Sequence, residues 1–175
     1  MTESEEEGTP MAIDLEVIAY HEAGHAVMAI ICRFIVTEIV VRDSEHGHGH
    51  VAWQIPDNPT ADDLQFAALV TASGLAADAL LYKIKPRPGT EFSGHFNDQL
   101  QVNEFIRNSG RPGNFNGYLA LAMKILGDNW SFVEQVAQCS IQFNQFRATA
   151  LDPGSFPVLP ADWKRMLDFL TVDGE

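Results

Sequence analysis

The stretch IDLEVIAYHEAGHAVMAIICRF, residues 13–34, decides how this chain is read. Its apolar residues recur three and four apart, Ile13 and Val17 then Ala26 and Ile30 among them, which is the period of a helix. No proline interrupts the run, so the pattern predicts a helix from about Asp14 to Arg33. Residues four apart lie one above the other on a helix face, so His21 and His25 can reach a single ion. Glu22 follows the first histidine directly. Its carboxylate then stands beside the ion rather than on it, where it can take a proton from a bound water. The pattern His-Glu-x-x-His is that of a zinc hydrolase. Gly24 is the anomaly, because glycine inside a helix costs about 1 kcal/mol relative to alanine. It marks the close approach of another backbone or of a bound substrate.

The 175 residues suit one domain with a hydrophobic core, and 46% of them are apolar. Residues 1–10 are expected to form a disordered acidic tail and residues 11–175 a single metallopeptidase-like domain. With 24 acidic against 11 basic residues the net charge is −13, which argues against a nucleic-acid partner. The longest apolar run, Ala26 to Val41, is broken by Arg33 and Glu38, so no membrane span is expected. Cys32 and Cys139 are too few for a disulfide framework and read as buried free thiols. The start of the chain lacks the charged and apolar regions of a secretory signal, and a cytoplasmic location is expected.

Beyond the first helix, Phe34 to Arg42 is β-branched and partly alternating and reads as a strand. A second strand around His50 to Gln54 completes a hairpin with a His- and Gly-rich connection. Thr60 caps a helix from Ala61 to Tyr82, with Asp62 and Asp63 in its first turn. That helix carries the small-residue patch Ala72-Ser73-Gly74-Leu75-Ala76-Ala77, suited to tight packing. Further helices are expected from Asn97 or Asp98 to Asn108, from Tyr118 to Leu126, from Ser131 to Phe146 and from Ala161 to Leu170. The run from Ser109 to Gly117 reads as a loop. The fold class is α+β and mainly α-helical: a zincin-like helical domain with a small hairpin.

A catalytic zinc takes three protein ligands and keeps one position open. The third ligand has several candidates in the sequence. His46, His48 and His50 could chelate a metal together in an extended chain, but glycine on both sides makes ordering them costly. Asp98, in the first turn of a helix, can be aimed rigidly at a neighbour. His95 lies nearby in the same segment. Many other acids are also available.

The blocks AYHEAGHAV, SGLAADALL and SGHFNDQLQ, in that order and spacing, resemble the peptidase domain of the FtsH family of membrane-tethered AAA+ zinc proteases. The resemblance spans about Ala12 to Ser109. It implies that His21, His25 and Asp98 bind Zn2+ and that Glu22 is the catalytic base. Asp78 stands where the family has a glutamate. Leu75 replaces the family's arginine, and His95 and Phe96 stand where small residues are usual. No Gly-x-x-x-x-Gly-Lys-Ser/Thr loop occurs in the 175 residues. The expectation is therefore an ATP-independent peptidase acting on peptides or unfolded polypeptide, alone, as a homo-oligomer or beside a partner unfoldase. The strand from Ile35 to Arg42 would offer an edge along which substrate adds. The competing expectation is a zinc-binding, protease-like regulator or adaptor without catalysis.

Overall fold

The structure, a computed structural model, describes residues 15–41, 49–86, 95–143, 145–146 and 159–172. The expected acidic tail, His46 and His48 lie outside the described residues, as do the side chains of His95 and Phe96. The order of elements is α1 (Leu15–Ile31), β1 (Ile35–Val40), β2 (His50–Gln54), α2 (Ala61–Ile84), α3 (His95–Ser109), α4 (Phe115–Asp128), α5 (Trp130–Phe143), β3 (Gln145–Phe146) and α6 (Trp163–Val172). The fold is α+β and mainly helical, with a three-stranded antiparallel sheet in the order β2-β1-β3.

Helix α1 is the centre of the molecule. Residues on every side of it are buried, from Val17 and Tyr20 to Ala29 and Ile31, because α2, α5 and the sheet all pack on it. A helix apolar all round belongs inside a fold. Helix α2 is the second central element, wrapped by α1, α3 and α4. By length and composition alone α2 could cross a membrane, but most of it is buried by the rest of the fold, as in a core helix. Its start is fixed by a capping box. Thr60 Oγ1 accepts from the Asp63 N–H at 3.2 Å, and the Asp63 carboxylate accepts from the Thr60 N–H at 2.8 Å.

The end of α1 is also built by local hydrogen bonds. The Phe34 N–H donates to the Ala29 carbonyl and the Arg33 N–H to the Ile30 carbonyl, which together make a Schellman motif. That motif needs a left-handed residue, and Arg33 occupies it at φ 68°. The chain then turns directly into β1. Phe34 packs against Trp53 and Phe66, and Phe66 against Trp163, so an aromatic chain joins the sheet, α2 and α6.

Several boundaries differ from the sequence reading. The expected helix to Phe146 ends at Phe143, because Gln145 and Phe146 instead pair with Val40 and Ile39 as β3. Helix α4 begins at Phe115 rather than Tyr118, since the Asn114 side chain accepts from the Gly117 N–H at 2.9 Å and starts the helix earlier. The expected edge on β1 is shortened by the pairing. β1 is the middle strand, held by β2 along its length and by β3 at Ile39 and Val40. Among the described residues, β2 has no strand on its outer side, and β3 covers only the Ile39–Val40 end of β1.

Gly24 is where α1 and α2 touch most closely. A Cβ there would stand 2.4 Å from the Ser73 carbonyl oxygen and 2.7 Å from the Ala77 Cβ. Gly24→Ala is expected to destabilise the fold by about 1–3 kcal/mol in urea unfolding despite its better helix propensity, because two helix backbones must separate. Arg33→Gly is expected to act in the opposite sense. Removing the Cβ penalty at a left-handed position should add about 1 kcal/mol in the same measurement.

Candidate metal centre

His21 and His25 project from adjacent turns of α1 onto the face of α2. Each ring is anchored through Nδ1. The His25 Nδ1–H donates to the Val70 carbonyl at 2.8 Å, and the His21 Nδ1–H donates to the Asp78 carboxylate at 2.7 Å. A carbonyl and a carboxylate can only accept, so both rings donate through Nδ1 and turn Nε2 the other way.

Those two Nε2 atoms lie 3.1 Å apart. The Asp98 Oδ2, brought in by the first turn of α3, stands 3.2 Å from His21 Nε2 and 3.5 Å from His25 Nε2. This oxygen is buried and closes no hydrogen bond. Three electron-rich atoms therefore converge on one point with their lone pairs inward. Such an arrangement repels itself unless a proton or a metal cation sits among the three. Zinc at about 2.0–2.1 Å from each of three donors, at tetrahedral angles, would space them about 3.3 Å apart. The observed separations fit that ion. Among the described residues, this is the group of histidine, cysteine and acidic side chains whose ligand atoms converge.

The electrostatics agree. Burial alone would lower the His21 pKa, but hydrogen bonding with Asp78 and the nearness of Asp98 outweigh it, and the imidazole is pushed up to about 10. Burial would raise the Asp98 carboxyl, but the two imidazoles win and hold it well below the usual carboxylate range. Both shifts say that the cluster attracts positive charge.

Glu22 lies on α1 between the two ligands and is 7% exposed. Burial pushes its carboxyl up, while His25 and His21 partly offset that. A raised carboxyl suits a base that must exchange a proton near neutral pH. Its side chain is covered by the start of β2: a Cβ on Gly49 would come within 2.7 Å of the Glu22 Cγ.

Gly74 makes the centre possible. A Cβ there would stand 2.4 Å from His25 Nε2 and 2.6 Å from His21 Nε2. The bare backbone of α2 makes room for both rings, which meet edge to face at 81°, and lets His25 reach the Val70 carbonyl one turn earlier.

His21, Glu22, His25 and Asp98 thus come together as the sequence predicts. His50 does not join them. It opens β2, half exposed, with Nε2 3.5 Å from the Glu38 carboxylate. Sequence reasoning placed Asp78 only as a family counterpart and missed its bond to His21. The i, i+4 spacing of Val70, Gly74 and Asp78 on one face of α2 is the signal that could have found it. The Val70 carbonyl left no signal, since every residue carries one. Compared with protein families and with curated proteins, the chain matches none significantly.

Asp78→Ala is expected to weaken zinc binding by about 10–100-fold in calorimetry while leaving the helical circular dichroism intact, because it frees one ligand ring. Gly74→Ala should weaken it further, since a methyl group would occupy the space of the Nε2 atoms.

Proposed function

We propose that this chain is a zinc-dependent peptidase related to the FtsH-type peptidase domain, acting on peptides or unstructured polypeptide without ATP. The observation that carries this reading is the convergence of His21 Nε2, His25 Nε2 and Asp98 Oδ2 at 3.1–3.5 Å, with Glu22 next to the first ligand. The resemblance of the HEAGH, SGLAADALL and SGHFNDQLQ blocks supports the same assignment.

His21, His25 and Asp98 would hold the metal. Zinc bound there supplies Lewis acidity, making water more acidic and a carbonyl more electrophilic. Glu22 takes the proton from the attacking water and returns it to the amine nitrogen as the peptide bond breaks. Its burial keeps that proton from exchanging with bulk water between the two steps. Asp78 and Val70 hold the ligand rings in one tautomer throughout. Substrate addition belongs on β2 rather than β1. β2 begins beside Glu22 through Gly49, and among the described residues it has no strand on its outer side. An extended segment laid along it would use main-chain hydrogen bonds and so tolerate varied sequence.

Chelator-free purification followed by metal analysis is expected to give about one zinc per chain, as a single three-ligand site requires. Glu22→Gln should keep the metal and lower hydrolysis of an unfolded protein by about 10²–10⁴-fold. Zinc retained with no hydrolysis by either form would favour a non-catalytic regulator, and absence of zinc would remove both readings.

A further inference from the structure

Helix α3 carries one ligand, and among its described side chains little else before Val102 is buried. Of Asn97, Asp98, Gln99, Leu100 and Gln101, only Asp98 is partly buried, and Leu100 is 52% exposed. The first buried apolar side chain is Val102, followed by Ile106 one turn later. Helix α3 packs along α2, with Val102 and Ile106 in the core, while it has no substantial backbone packing against α1. The bridge from the start of α3 to α1 is the Asp98 carboxylate facing His21 and His25.

That bridge joins two imidazole nitrogens and one carboxylate oxygen at 3.1–3.5 Å. Two of them, on α1, are locked in place by Asp78 and Val70. The third sits on a stretch where, from Asn97 to Gln101, no other side chain is even partly buried. Two ligands are thus prebuilt and one is adjustable.

We infer that ion binding and the ordering of the first turns of α3 are a single event, so that the site assembles only when metal arrives. This rests on the metal-binding half of the proposed function and not on its catalytic half. Metal that binds the closed form alone stabilises that form by mass action, and the effect is confined to the segment that opens. At zinc well above its dissociation constant, amide exchange from His95 to Val102 should slow by about ten- to a hundredfold. Helix α2 and the later turns of α3, held by apolar burial, should change little. The consequence is regulatory: a metal-starved chain would keep its core but lose the third ligand, and with it the closed site.

Hydrogen–deuterium exchange read by mass spectrometry, on the whole chain stripped by chelator and then reloaded with zinc, tests this. The expected result is slowing confined to the peptide covering His95 to Val102. Asp98→Asn with excess zinc should leave that peptide exchanging as in the stripped wild type, and comparison within one wild-type preparation removes any dependence on how the variant folds. Equal exchange with and without zinc, or slowing spread evenly over all helices, would overturn the inference. Zinc titration calorimetry on the same samples separates the levels. Binding without local slowing rejects this inference alone, whereas no binding rejects the metal reading as well.

Discussion

Everything in the centre depends on how closely α1 and α2 approach. Gly24 on one helix and Gly74 on the other remove side chains where the two helices meet, and a Cβ at either would collide at 2.4 Å. That contact brings imidazoles from α1 within reach of main-chain and side-chain acceptors on α2. A wider separation would leave both rings on rotatable side chains with no partner for Nδ1. The glycines cost helix propensity, but they convert two flexible histidines into a rigid pair of donors. Both helices are buried on most sides, so the pair is fixed by the core itself.

The second constraint is electrostatic. Anchoring each ring by Nδ1 forces both lone pairs toward Asp98, and three acceptors at 3.1–3.5 Å cannot coexist without positive charge among them. The cluster is therefore least stable as neutral rings and a bare carboxylate. The upward shift at His21 and the downward shift at Asp98 are two faces of that demand. Glu22 feels the same cluster more weakly: burial raises its carboxyl, and His25 and His21 pull it part of the way back.

Much of this was legible in the sequence because it rests on local periodicity. The i, i+4 spacing of His21 and His25 on an apolar helix fixed the two donors, and the Thr60 cap fixed the start of α2. Gly24 announced a close approach before its partner was known. Asp98 was harder, since spacing alone left many acids, and only the resemblance singled it out. What sequence could not show depends on tertiary pairing. Gln145 and Phe146 carry no mark distinguishing a helix end from a strand until Val40 and Ile39 are beside them. The central place of β1 is likewise a property of the sheet, not of its own residues. The early start of α4 turned on one side-chain bond from Asn114, within a stretch whose glycines and proline read as loop.

The two ring anchors are chemically unlike, and that has an evolutionary consequence. His25 leans on a main-chain carbonyl, which no substitution at Val70 can delete. His21 leans on Asp78, whose identity is encoded and can drift. One half of the donor pair is thus insulated from mutation, while the other can be retuned. Replacing a carboxylate by a neutral acceptor at position 78 would make the His21 ring less basic without moving its neighbour. The basicity of this one ring can thus be tuned through a single codon, with the rest of the scaffold unchanged.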